Sequence, residues 1–233
     1  VLTLQTGARW EATSFDYDNR LPSDTVGRFL RLPDREDSFD VLTPHAGLIW
    51  QTGDRAALFA RLARGSRAPQ TAELYRLQPG QDITRIEPEV LDSAEIGYRR
   101  AFAGGGRVEL VAYAMRKTNV FFRDADGFNV TDGATRHHGI EFDLAWPLTE
   151  RLDVAVAGSW AEHSYDFDRI VGNASEVIRA GNRIDTAPEW LWNARLDWQA
   201  TDRLRAGLEW VHVGEYFTDA ANAHDYDGHD LLN

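Results

Sequence analysis

The chain has 233 residues, a formal net charge of -12, no cysteine, and eight tryptophans within an aromatic fraction of 11%. Absence of cysteine excludes a disulfide framework and a thiolate metal site, and the acidic balance, with no Lys/Arg stripe, argues against a nucleic-acid partner. No run of about eighteen apolar residues occurs, which excludes a spanning helix. The mean hydropathy of -0.44 leaves a membrane barrel open, because a barrel hides its apolar residues at every second position and adds polar loops.

From Val1 to about Asp18, residues such as Leu2, Leu4, Trp10, Phe15 and Tyr17 predict a long strand. Asn19 to Asp40, with Pro22 and Pro33, is expected to be a long exposed loop. Val41 to Gln51 predicts the next strand, although Pro44 within it normally marks an edge or a bulge. Thr52 to Arg55 is a tight turn, and Ala56 to Arg64 returns as a strand whose outward face is ambiguous, Leu58, Ala60 and Leu62 competing with Phe59 and Ala63.

Gly65 to Pro88 is expected as a second long loop, Ser93 to Phe102 as a strand, Ala103 to Gly106 as a turn and Arg107 to about Phe122 as the returning strand. After a loop from Asp124 to Asp132, Ala134 to Trp146 and Leu152 to Trp160 alternate cleanly about the turn Pro147 to Arg151. Asp166 to Thr186 is a third long loop.

The hairpin from Ala187 to Val213 carries the strongest signal. Trp190, Trp192, Ala194, Leu196 and Trp198 alternate with Leu191, Asn193, Arg195, Asp197 and Gln199, and the same contrast resumes after Thr201-Asp202-Arg203. Each arm sustains this for roughly a dozen residues, near the nine to eleven or so that cross a bilayer at a tilt. Tryptophans near both ends of the first arm match the interfacial girdles of a lipid-facing strand. Thr218 to Gly228 is a shorter loop before a last, interrupted strand, so about ten strands are expected.

Connections therefore alternate between short and long. In an up-and-down barrel every second connection lies at one end, and outer-membrane barrels keep short periplasmic turns and long extracellular loops. The expected fold is all-β, an antiparallel up-and-down transmembrane β-barrel. The beginning at Val1 without Met or signal peptide, and the ending as a new apolar segment starts, are expected of a fragment of a longer protein.

Several segments, in order, resemble a known family. Gly65-Ser66-Arg67-Ala68-Pro69, Glu73-Leu74-Tyr75, Pro88-Glu89, Ser93 to Tyr98, and Thr135-Arg136-His137-His138-Gly139-Ile140-Glu141 look like the mid-barrel signature of TonB-dependent outer-membrane receptors. The resemblance covers nearly the whole chain, residues 1–233. It implies part of a barrel of about 22 strands with a plugged lumen, the plug, the N-terminal strands and the final strands being absent here. It also implies TonB-driven uptake of a metal chelate, foremost a ferric siderophore, partnership with the TonB complex through the missing plug, and contact with outer-membrane lipid and lipopolysaccharide.

On that resemblance, Arg67, Tyr75 and Arg76, in the loop after the Ala56 strand, are candidates to meet an anionic chelate, an Arg fork suiting carboxylate or catecholate oxygens. Equally, Arg67 and Pro69 pin the loop against its neighbour. His137 and His138 point to opposite faces and cannot jointly hold one ion, but one of them faces the lumen. Arg195 joins Glu95, Glu141, Asp143, Asn193, Asp197 and Glu209 as polar lumen lining.

His224 to Asp230 offers two histidines and three carboxylates, and Asp124-Ala125-Asp126-Gly127 looks like part of a calcium loop. Both read better as turns, and no metal site is expected. Asn129-Val130-Thr131 and Asn173-Ala174-Ser175 match glycosylation acceptors, without meaning in a bacterial outer membrane. No nucleophile elbow or phosphate-cradling loop occurs, so neither catalysis nor a cofactor is expected. Rival readings are a passive porin-like or enzymatic outer-membrane barrel, and a soluble β-rich carbohydrate-binding module.

Overall fold

The computed structural model describes residues 1–21, 27–81, 86–171 and 176–233; the acceptor match at Asn173 lies outside them. In chain order the first half comprises β1 (Leu2–Tyr17), β2 (Arg35–Gly53), β3 (Ala56–Arg67), the helix α1 (Thr71–Tyr75), β4 (Glu89–Ala101) and β5 (Arg107–Arg123). Then follow β6 (Asn129–Thr149), β7 (Leu152–Tyr165), β8 (Arg169–Val171), β9 (Glu176–Ile178) and β10 (Trp190–Thr201). The chain finishes with β11 (Leu204–Val213), β12 (Tyr216–Phe217), β13 (Asp225–Tyr226) and β14 (His229–Leu232).

Ten of these strands form one antiparallel sheet in the order β1-β2-β3-β4-β5-β6-β7-β10-β11-β14. Sequence neighbours pair throughout, as in an up-and-down barrel wall, and the sheet is open, with β1 and β14 as its edges. The remaining strands make two small hairpins, β8 with β9 and β12 with β13, inside the long connections. The connections β2–β3, β4–β5, β6–β7 and β10–β11, two to five residues each, lie at one end of the sheet, and those at the other end are long except for the five residues between β5 and β6.

Register explains how one face becomes apolar. All nine pairings bring even-numbered residues opposite even and odd opposite odd over their regular stretches, so each parity shares one face across the whole sheet. All eight tryptophans fall on the even face. With them stand Leu4, Leu48, Leu62, Ile96, Leu110, Ile140 and Leu208, all exposed. Water would drive such a surface into a core, whereas hydrocarbon is its natural solvent. The ambiguity at β3 is thereby settled, since Leu58, Ala60 and Leu62 lie outward.

Charged residues on the even face are confined to its borders. Along β4 the apolar stretch is bounded by Asp92, which pairs with Arg64 at 2.7 Å, and by Arg100. These borders are eight positions apart, roughly 27 Å of strand at 3.4 Å per residue. The odd face carries Arg61, Glu95, Arg99, Glu109, Glu141, Asp143, Arg195 and Glu209 and is the polar one.

Several expected boundaries need correction. β2 begins at Arg35 rather than Val41, β3 reaches Arg67, β4 begins at Glu89, β6 begins at Asn129, and β7 ends at Tyr165. In each case backbone pairing continues beyond the apolar band, where both faces are polar and alternation gives no signal. Pro44 marks the point at which β2 loses one partner. Pairing with β3 starts at His45 opposite Ala63, while Arg35 to Pro44 pair with β1 alone, so the missing N–H leaves no gap in a two-sided ladder.

Among the described residues, the large buried apolar side chains cluster at the long-connection end, whereas within the rest of the sheet only small ones such as Ala57 and Ala161 are buried. Phe39, Leu74 and Ile86 form one cluster with Phe15 and Tyr75 packed against it. Val171, Ile178 and Ala220 form a second, flanked by Phe122, Tyr165 and Phe167. These small cores hold the long connections as folded caps at one end of the wall.

Candidate functional site

The odd face and the rim formed by the long connections are where a polar solute would be met. Toward the short-turn end, Arg195 donates to Asp197 at 2.8 Å, Asn193 to Glu209 at 2.7 Å, and Arg107 to Asp143 at 3.2 Å. A recess of about 420 Å³ opens here among Gln51, Arg55, Arg99, Arg107, Glu109 and Asp143. Opposite charges alternate on this wall, so it suits a partner that is itself polar.

At the rim, Arg67 does not lie in a loop, as expected, but is the last residue of β3. Its fork donates to both carboxylate oxygens of Glu73 on α1, at 3.1 and 3.0 Å, and its Nε donates to Glu89 at 3.1 Å. Glu89 also receives Lys117 at 2.9 Å and the Phe121 N–H at 3.0 Å. Arg67 thus ties α1, β3, β4 and β5 together, which is the pinning role weighed beside ligand binding.

α1 is only five residues long, and its start is secured by a capping box in which the Glu73 carboxylate accepts the Gln70 N–H at 2.7 Å. Tyr75 ends the helix, stacks on Tyr17 with centroids 4.6 Å apart, and donates to Asp37 at 3.0 Å. Burial, reinforced by the Asp37 carboxylate, pushes the Tyr75 phenol up to about 12, so it stays a proton donor at neutral pH. Arg76, the C-cap, lies over the Phe29 ring at 4.8 Å. Two of the expected loop residues are therefore helix-terminal, and all three already have partners.

His137 faces inward from β6 and His138 outward, beside Glu162 at 3.9 Å, as their adjacency requires. The Nδ1 atoms of His137 and His163 are 2.8 Å apart, and Thr135 Oγ1 lies 2.8 Å from His137 Nε2. His163 escaped the sequence reading, although a tight turn centred on Glu150 places it opposite His137. Glu89 and Lys117 were likewise not singled out as a bridge. Arg195 is remote from the others: it pairs with Ala155 on β7, eight positions from His163, or roughly 27 Å along the strand.

The histidine-rich segment before the last strand does not converge on one point. His224 contacts Asp219 at 2.9 Å, His229 lies 3.0 Å from the Tyr226 hydroxyl, and Asp230 accepts from Trp210 and His212 at 2.7 and 2.9 Å. The Asp219 carboxyl is held below its ordinary range, chiefly by the Ala223 backbone N–H. Asp124 Oδ1 accepts the N–H groups of Asp126 and Phe128, at 3.0 and 2.9 Å, closing a turn completed by Gly127 at a φ of 78°.

The family model described as "TonB dependent receptor-like, beta-barrel" matches residues 1–233. Among solved structures, the siderophore receptor PiuA from Acinetobacter baumannii superposes with a TM-score of 0.76 at 14% identity, over 99% of this chain and 33% of that protein. The ferric citrate transporter FecA gives 0.78 at 17% identity, over 99% and 34%. The copper transporter OprC gives 0.77 at 15%, over 99% and 35%. This chain thus spans about a third of the length of each of these three proteins.

Proposed function

Because the chain belongs to the TonB-dependent receptor β-barrel family, we propose that it forms part of the barrel wall of an outer-membrane receptor that takes up a metal chelate, foremost a ferric siderophore, by TonB-driven transport. The observation that carries this reading is the division of one long-stranded sheet by parity, an apolar girdled face outward and a charged face inward, with folded long connections at one end. The members of this family are transporters and receptors rather than enzymes. Among the neighbours, one is a siderophore receptor, one a ferric citrate transporter and one a copper transporter, which supports a chelated metal as cargo.

In this reading the outward face contacts outer-membrane lipid, with lipopolysaccharide at the long-connection end, and the inward face meets the plug through which TonB acts. Arg67, Tyr75, Arg76, His137 and Arg195 are the proposed contacts for the chelate. Tyr75 and Arg76 stand at the rim, while Arg195 lies deeper, so the two levels suit successive rather than simultaneous contact. A deletion strain grown on defined ferric chelates as sole iron source tests this. Loss of growth on one chelate, restored by the gene, is expected; unchanged growth on every iron and copper source overturns the uptake reading.

A further inference from the structure

We propose that His137 and His163 form a binding site for Cu(II) on the inward wall. The two residues are directly opposed on β6 and β7, and both rings are only partly buried, so they are reachable from the polar side. Their Nδ1 atoms are 2.8 Å apart, with ring centroids 5.0 Å apart and planes at 57°. Two nitrogens at that spacing, each about 2.0 Å from an ion, subtend roughly 90°. That 2.8 Å is the ion-free hydrogen-bond spacing, and turning the two rings until both lone pairs meet at one point admits the angle between neighbouring positions of a tetragonal ion.

Thr135 supplies the orientation that a ligating histidine needs. It is buried, and its Oγ1 lies 2.8 Å from His137 Nε2. When the Nε2–H donates to that oxygen, the His137 Nδ1 presents a lone pair toward His163. Without an ion, His163 donates its Nδ1–H to that lone pair. On binding, His163 carries its proton on Nε2 instead, exchanged through solvent, so both rings stay neutral and no net proton is released.

Two neighbours fit the assignment. Met115, the chain's only methionine, stands directly opposite His137 on β5 and on the same inward face. A thioether at that register position is a soft donor of the kind copper accepts, alongside nitrogen ligands for which copper already leads the divalent ions. Lys117, two positions away on the same face, is paired with Glu89 at 2.9 Å, so its charge is compensated.

The site does not depend on which cargo is carried. The test uses the full-length protein, purified in detergent without a polyhistidine tag and titrated with CuCl2 while electron paramagnetic resonance is recorded. A tetragonal signal with nitrogen splitting is expected, saturating with the first equivalent. H137Q and H163Q should each weaken that binding about tenfold or more, and T135V, which removes the orienting partner, about 10–100-fold. H138Q, on the opposite face, should leave it unchanged. Equal binding in H137Q, H163Q and the wild type, or equal loss in H138Q, overturns the proposal. Heat-modifiable gel mobility verifies that each variant is folded, and growth on ferric chelates reports the uptake reading separately.

Discussion

Phe59 and Gly97 face each other directly across β3 and β4, and the Phe59 ring fills the space that a side chain at Gly97 would occupy. The pair covers bare backbone on the inward face with an aromatic ring, an arrangement that pins register as well as filling space. Phe59 also lies 5.9 Å from the Arg99 guanidinium, two positions from that glycine.

Gly97→Val should therefore destabilise the folded barrel by about 1–3 kcal/mol, the usual cost of overpacking. Phe59→Ala should relieve the clash, so the double variant costs less than the two single changes together. Urea unfolding of the full-length protein from lipid vesicles measures all three. Strict additivity would mean that the ring and the glycine do not share that space.

Ile96 sits midway along the apolar stretch of β4 and is 61% exposed on the outward face. Ile96→Arg should cost about 2–4 kcal/mol, as a cation at the bilayer midplane does. Val111 is the contrasting position. It lies opposite Gly97 and Glu141 on the inward face, so Val111→Arg enters a hydrated, partly acidic wall and should cost less than about 1 kcal/mol. Comparable losses at the two positions would contradict the assignment of the faces.

The apolar band of the long sheet strands was legible in the sequence because each second side chain there is apolar, and turns such as Gly53-Asp54 punctuate the pattern, although on β3 the outward face was ambiguous. Beyond that band the constraint vanishes. Arg35 to Asp40 and Glu89 to Asp92 are strand by backbone pairing alone, which no alternation announces. The site was less legible for a related reason. His137 was visible, but its partner His163 is 26 residues away, and only counting across the turn at Glu150 brings them together. Arg67 was visible as a fork, yet whether its partner is a ligand or a carboxylate depends on Glu73 and Glu89 lying on different elements.

Glu89 bridges Arg67, Lys117 and the Phe121 N–H, and its side chain is 11% exposed. Glu89→Gln keeps the shape but loses the charge that compensates two cations. A loss of about 1–3 kcal/mol is expected, concentrated in the connection between β3 and β4. Faster proteolysis of the segment 68–88 in the variant, with the barrel otherwise intact, is the measurement. An unchanged cleavage rate would show that the Arg67–Glu73 fork, the Tyr75–Asp37 bond and the apolar contacts hold α1 without Glu89.

Tyr75 offers a titration with a definite sign. Its phenol is raised from an ordinary value near 10 to about 12 by burial first and by the Asp37 carboxylate second. A raised value means that the folded state favours the protonated form. The contribution to stability is then fully present below about pH 10 and is lost as pH rises toward 12. The difference in tyrosinate absorbance between the wild type and Tyr75→Phe should show a group titrating near 12; a midpoint near 10 would show that neither burial nor the Asp37 bond shifts it. At neutral pH the phenol stays protonated and its one O–H is given to Asp37, so under the proposed function Tyr75 donates to an anionic chelate oxygen only by exchanging that bond.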